Sequence, residues 1–142
     1  MTTQDSGNVM RQYFDAISRR DFDAIRKIYH PDYSYTGANG DRQDGPEAGL
    51  AVARTYTTAF PDLTFDIRHM HTAGADVVVT EFVVRATHQG ELMGIAPTNR
   101  SIEVPICNII ELRDGRVYAE REYFDMAHLM QQLGVTAGAA HT

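Results

Sequence analysis

The sequence has a single cysteine, no tryptophan and fewer basic than acidic residues. Cys107 alone forms no intramolecular disulfide and supplies no cysteine-based metal cluster, and within an apolar strand it is typical of a small buried hydrophobe. Thirteen Lys and Arg against 19 Asp and Glu give a formal net charge of −6, and no run of basic residues occurs. The electrostatic footprint of nucleic-acid binding is therefore missing, and we expect no nucleic-acid partner.

Long apolar runs are missing too. No window approaches the roughly 18 apolar residues of a membrane-spanning helix. The first ten residues, MTTQDSGNVM, have neither the basic nor the apolar region of a signal peptide. We expect a soluble, cytoplasmic protein without a membrane partner. The 142 residues, 43% of them hydrophobic, suit one domain over residues 1–142 with its own core.

Helical periodicity dominates the first part of the chain. Apolar residues recur at helical spacing over residues 8–20, with Ser6 as a candidate N-cap. A second helix, capped by Asp21 and ending at residue 29, is predicted because the residue before Pro31 is pushed out of the helical region. A third is predicted over residues 46–60, with a proline at its first position.

The later part of the chain alternates as strands do. Strands are predicted at residues 33–35, 63–70, 77–89, 102–112 and from 116 onward. Helices followed by long strands indicate an α+β fold, with the N-terminal helices packed on a strongly curved antiparallel sheet. Such a sheet forms a cone with an internal pocket, the usual place for small-molecule chemistry.

The outer face of this sheet also needs cover. Apolar residues are available on both strand faces at Ile67, Val79, Val83, Ile109 and Val117. We therefore expect a homodimer that forms through the outer face of the sheet.

A single carboxylate lies where the last strand meets the last helix. Asp114 and Gly115 are typical of a type I′ turn, so the strands on either side should pair antiparallel. Apolar residues at helical spacing then predict a short helix over residues 126–133, ended by Gly134. Asp125 lies at the junction, where it either caps this helix or points into the pocket and transfers a proton.

Four segments carry a family resemblance. They are HPDY at 30–33, the run at 84–100 with its THxGxxxGxxPT pattern, the strand at 102–117, and EYFD followed by LMQQLG within 122–134. Together they resemble the SnoaL-like polyketide cyclases of the nuclear-transport-factor-2-like superfamily. The similarity spans nearly the whole chain.

This resemblance implies a cofactor-independent acid/base enzyme whose key carboxylate matches Asp125. In the family's cyclases an aspartate moves a proton in an intramolecular aldol condensation that closes the last ring of an anthracycline-precursor ester, without a metal. The expected partner is then a small aromatic polyketide-like substrate. The alternatives are a hydroxylation protein, as in one branch of the family, an epoxide- or lactone-opening enzyme, and a non-catalytic binding module.

Three more residues are candidates for a polarising role in catalysis. Asn108 stands where the best-known cyclases have a cavity histidine, and its amide either donates to a developing oxyanion or is satisfied structurally. Arg85 is either an ion-pair partner of Glu81 or Glu103, or a cation in the cavity. His88, inside the diagnostic pattern, either reaches the pocket or caps the loop.

Large side chains are candidate pocket walls for a flat aromatic ligand, although they also suit an ordinary core. They are Tyr13, Phe14, Tyr33, Tyr35, Met93 and Tyr123.

Two pairs of residues have i, i+2 spacing on predicted strands. His69 and His71 lack a third metal ligand at suitable spacing, so we interpret them as solvated histidines. Glu120 and Glu122 have the spacing of an acid/base pair, but Arg116 and Arg121 nearby favour surface charge as the interpretation. No metal site is predicted.

Overall fold

Four helices and six strands make up the part of the chain that the computed structural model describes, residues 2–135. In chain order they are α1 (Thr3–Ser18), α2 (Phe22–Ile28), β1 (Tyr29–Thr36), β2 (Arg42–Asp44), α3 (Pro46–Ala59), β3 (Thr64–Thr72), β4 (Val77–Thr87), β5 (Ser101–Arg113), β6 (Arg116–Tyr123) and α4 (Met126–Gln132). The four predicted helices and the long strands are present. Strand β1 is longer than predicted, and the short β2 lies between residues 36 and 45, where no strand was predicted. None of these helices is long and apolar enough to cross a membrane.

Side-chain caps fix the starts of the first two helices. Thr2, rather than Ser6, caps α1: its hydroxyl accepts from the backbone N–H of Asp5, whose carboxylate accepts from the N–H of Thr2. Ser6 lies buried inside the helix, and its hydroxyl donates to the backbone carbonyl of Ala75. Asp21 caps α2 as predicted, 3.1 Å from the backbone nitrogen of Ala24.

The sheet is mixed, whereas the prediction was an antiparallel sheet. Its strand order is β2-β1-β6-β5-β4-β3, and every neighbouring pair is antiparallel except β1 and β6, which run parallel. Strand β1 follows the helical pair and enters the sheet beside the last strand of the chain, a long-range pairing that strand periodicity does not reveal. The predicted α+β fold class is confirmed, and the sheet is open, ending in β2 and β3.

One face of the sheet packs against the helices. Alternate residues of β4 and β5, such as Val78, Phe82 and Ile110, point to this inner face and are at most 3% exposed. They join Met10 and Phe14 of α1 in the main apolar core. A second cluster of buried apolar residues is built around Phe60, Ile102 and Leu129.

Two of the apolar residues named for the two strand faces lie on the inner face. Val117 is fully buried in the main core, and Ile67 pairs with Phe82, an inner-face residue. Val79 and Ile109 pair with each other on the outer face and are half-buried. The outer face is therefore less apolar than the sequence suggested, and dimerisation through it stays a prediction.

The closing hairpin and α4 agree with the sequence analysis. Asp114 and Gly115 both have positive φ, 54° and 73°, as a type I′ turn requires. Gly134 follows α4 with φ of 78°. The Gln132 side chain fastens α4 to β5, since it accepts from the backbone N–H of Glu103 and donates to the same residue's carbonyl, at 2.7 and 3.1 Å.

Candidate active site

A cavity lies between the helices and the inner face of the sheet. Counted with its open mouth, the empty space inside it is about 900 Å³. Its walls are mostly apolar, and their aromatic members are Tyr13, Phe14, Tyr33, Tyr35, Tyr56, Phe60, Phe65, Phe82 and Phe124. Asn108, Glu120 and Glu122 also line it, and within residues 2–135 no Lys, Arg or His does.

Glu120 is a buried carboxyl group surrounded by phenols. It is 5% exposed, and its Oε1 accepts from the hydroxyls of Tyr13 at 2.6 Å and Tyr33 at 2.7 Å. The Tyr29 hydroxyl lies 2.7 Å from that of Tyr13 and donates to it, because Tyr13 gives its own proton to Glu120. Burial raises the pKa of Glu120, and the two phenol hydrogen bonds oppose that rise.

A glycine in α3 lets the helix close over these phenols. A Cβ atom on Gly49 would lie 2.6 Å from the Tyr29 ring and 2.7 Å from the Tyr33 ring, well inside van der Waals contact. The two rings themselves are 4.0 Å apart between centroids. Any larger residue in place of Gly49 would displace the phenol cluster.

Glu122 is the second carboxyl group in the cavity, two residues further along β6. Its Oε1 accepts one hydrogen bond, from the Tyr35 hydroxyl at 2.9 Å. Burial raises the pKa of Glu122 to about 8, the charge of Glu120 adds to the rise, and the Tyr35 hydrogen bond opposes it. At neutral pH Glu122 is therefore mostly a protonated acid, with a smaller fraction of basic carboxylate available for proton abstraction.

Polar residues continue from Glu122 across the sheet. Asn108 pairs with Glu122 between β5 and β6, and Thr80 pairs with Asn108 between β4 and β5. The Oδ1 of Asn108 and the Oγ1 of Thr80 are buried and have no hydrogen-bond partner within the described residues. Of the two residues, Asn108 lines the cavity and Thr80 does not. Since buried polar atoms are nearly always paired, the Asn108 side chain has hydrogen-bonding capacity left for a ligand.

The predicted pocket walls divide into two groups. The cavity is lined by four of the predicted wall residues, Tyr13, Phe14, Tyr33 and Tyr35, and also by Asn108. Met93 and Tyr123 do not: they are 59% and 51% exposed. Met93 lies in the loop between β4 and β5, and Tyr123 ends β6 on the face opposite to Glu122.

Asp125 is a helix cap in this structure and does not line the cavity. Its carboxylate accepts from the backbone N–H of His128 at 3.0 Å, and the side chain is exposed at the start of α4. Asp125 therefore has no contact with the cavity in this structure, and a catalytic role for it stays a prediction. The capping interpretation agrees with the contacts.

Arg85 and His88 also lie outside the cavity. Arg85 forms ion pairs on the outer face with Asp66 at 3.0 Å and Glu103 at 3.4 Å, which agrees with its structural interpretation. His88 is fully buried, and its Nδ1 accepts from the backbone N–H of Thr98 at 3.2 Å, which ties the loop to the end of β4. Neither side chain lines the cavity.

The interpretation of the two i, i+2 pairs succeeds for one and fails for the other. His69 and His71 are exposed on β3, as solvated histidines are. Glu120 and Glu122 are not surface charge, because they face the cavity. Arg121 faces the other way and pairs with Glu111 at 2.5 Å. The signal that would have located the glutamates is the set of core tyrosines, since a buried phenol needs an acceptor.

Comparison with known proteins agrees with this architecture. The sequence model of the SnoaL-like polyketide cyclases matches residues 7–133. The chain belongs to this family. No curated protein matches the sequence.

SnoaL-like proteins of known structure share the fold. A proposed SnoaL-like polyketide cyclase from Jannaschia sp. CCS1 is 21% identical, with 92% of each chain covered and a TM-score of 0.85. AclR from Streptomyces galilaeus, a proposed hydroxylase, is 24% identical over 94% of this chain and 83% of its own, with a TM-score of 0.83. IdmH from Streptomyces antibioticus, a proposed polyketide cyclase, is 28% identical over 92% and 99%, with a TM-score of 0.78.

These structural neighbours include a proposed polyketide cyclase and a proposed hydroxylase, so structural similarity does not identify one reaction. The reaction has to be argued from the cavity of this chain.

Proposed function

We propose that this SnoaL-like protein is a cofactor-independent acid/base enzyme of aromatic polyketide biosynthesis, acting on a flat, neutral ester. The observation that carries the proposal is Glu122, a carboxyl group with a raised pKa of about 8 inside an aromatic cavity. General acids and bases work best when their pKa lies near the working pH. The similarity to the proposed cyclase IdmH supports ring closure as the reaction.

The charge of the cavity favours a neutral ligand. Two carboxyl groups and no basic side chain line it within residues 2–135. A free carboxylate on the ligand would meet repulsion and lose its hydration without a counter-ion. An ester of the same acid avoids both costs, while its aromatic body packs against the ring-lined walls.

Ring closure can be written with these residues alone. The Glu122 carboxylate removes a proton from the carbon between two carbonyl groups of the ligand. The resulting enolate attacks a third carbonyl group elsewhere in the same molecule, forming the new C–C bond. Protonated Glu122 then returns the proton to the alkoxide that this addition creates. In this proposal the amide N–H of Asn108, on the neighbouring strand, donates a hydrogen bond to the oxygen that carries the developing charge. Atoms balance, and the product has the mass of the substrate.

The test is to incubate the protein with a series of uncyclised anthraquinone esters and their free acids, and to measure product masses. We expect an isomer of the ester as product, no turnover of the acid, and a rate that rises with pH toward a plateau above about pH 8. A product heavier by one oxygen atom, formed only when molecular oxygen and a redox partner are added, would instead make the protein a hydroxylase. Addition of water to an epoxide or lactone offered in the same assay would make it an epoxide- or lactone-opening enzyme. Tight binding without turnover would make it a binding module.

A further inference from the structure

Glu120 takes no part in the proton transfer proposed above, yet its surroundings are the most fully hydrogen-bonded in the cavity. Its Oε1 accepts from two phenols, and a third phenol supports the first. Tyr13, Tyr29, Tyr33 and Glu120 are each at most 5% exposed. Burying two phenols that donate to one oxygen atom, and a third that supports one of them, is explained if that oxygen carries charge, because hydrogen bonds to an ionised acceptor are about twice as strong as neutral ones.

We propose that Glu120 is a positioning residue: a buried, ionised carboxylate, held by Tyr13, Tyr29 and Tyr33, whose negative charge keeps the proton on Glu122. This inference rests on the role proposed for Glu122. Glu120 itself touches no reacting atom. It acts through Glu122, by making the neighbouring carboxyl group a neutral acid.

The division of charge between the two carboxyls follows from their donors. Glu120 accepts two hydrogen bonds from phenols, and Glu122 accepts one. The group with more donors ionises first, since each hydrogen bond to the charged form stabilises it. Once Glu120 is charged, the second ionisation places a like charge on the same face of β6, and the charge of Glu120 accordingly raises the pKa of Glu122.

The other titratable groups facing this pair do not compete for the proton. They are Tyr13 from α1, Tyr29, Tyr33 and Tyr35 from β1, and Tyr56 from α3. Burial is the main cause that raises the pKa of every one of them. All five therefore stay neutral hydrogen-bond donors across the range in which the two carboxyls titrate.

The proposal is tested by NMR titration of protein labelled with ¹³C at the glutamate side-chain carboxyls, across about pH 4 to 10. In the unchanged protein the Glu122 signal should titrate near pH 8, and Glu120 at a lower pH. In Glu120→Gln, which keeps the shape and removes the charge, the Glu122 midpoint should fall by about one pH unit or more. In the matched variant Tyr35→Phe, which removes the donor to Glu122, it should rise.

An unchanged Glu122 midpoint in Glu120→Gln would overturn the inference, as would a Glu120 signal that titrates above that of Glu122. If Glu120→Gln does not fold, Tyr33→Phe decides instead: loss of one donor should move the Glu120 midpoint to higher pH, and no movement would refute the cluster's role. The readout needs no substrate. A failure of the proposed function, with no ester turned over, would therefore leave the titration result standing, and a failed titration with intact turnover would remove only this inference.

Discussion

Glu122 should make the folding stability fall as the pH rises. Its pKa is about 8 in the folded protein against 4.5 for an unperturbed glutamate, so between these values the folded state binds more protons than the unfolded state. The free energy of unfolding then decreases with rising pH. The stabilisation is fully present below about pH 4.5 and is lost as the pH passes through about 8. At about 1.4 kcal/mol per pKa unit, this difference is on the order of 5 kcal/mol.

The assay is urea unfolding at intervals between about pH 5 and 9, done on the unchanged protein and on Glu122→Gln. The unchanged protein should lose several kcal/mol across this range, and the variant should show a much flatter curve. Glu81→Gln is the matched control, because Glu81 is an exposed carboxylate on the outer face of β4. Parallel curves for Glu122→Gln and the unchanged protein would refute the reasoning, since Glu122 would then titrate alike in both states.

Three further predictions concern the cavity wall and the outer face. Gly49→Ala should destabilise the protein by roughly 1–3 kcal/mol in urea unfolding, because its Cβ overlaps the Tyr29 and Tyr33 rings; a gain in stability, as helix propensity alone would give, would contradict this. Asn108→Leu should fold normally but lose roughly 10²-fold in turnover of a substrate ester, and unchanged turnover would exclude the amide from the reaction. Light scattering at micromolar concentration should give the mass of a homodimer, and a monomer mass would end that proposal.

The fold could be predicted well where local signals act. The Asp114-Gly115 turn, the Asp21 cap and the helix start at Pro46 depend on residues close together in the chain, and the structure has each of them. The parallel pairing of β1 with β6 could not be predicted in the same way. It joins Tyr35 to Glu120, far apart in the sequence, and alternation along one strand carries no information about its neighbour.

The site was predicted less well, for a related reason. Alternation along β6 places Glu120 and Glu122 on one face, but it does not say which face points inward. Arg121 suggested a charged surface. The phenols that donate hydrogen bonds to these buried glutamates come from α1 and β1. Asp125 has the local sequence of both a cap and a catalytic residue, and only its position outside the cavity separates the two.

The most direct test of this account compares the two carboxylates in one experiment. Turnover of the best substrate ester is measured for Glu122→Gln and Asp125→Asn, each at matched concentrations of folded protein. Glu122→Gln should lose roughly 10²- to 10⁴-fold in turnover, as expected for a positioned acid or base. Asp125→Asn should keep its turnover and lose about 1 kcal/mol of stability or less, as expected for a helix cap. The opposite result, with turnover lost in Asp125→Asn and kept in Glu122→Gln, would contradict the assignment of proton transfer to Glu122.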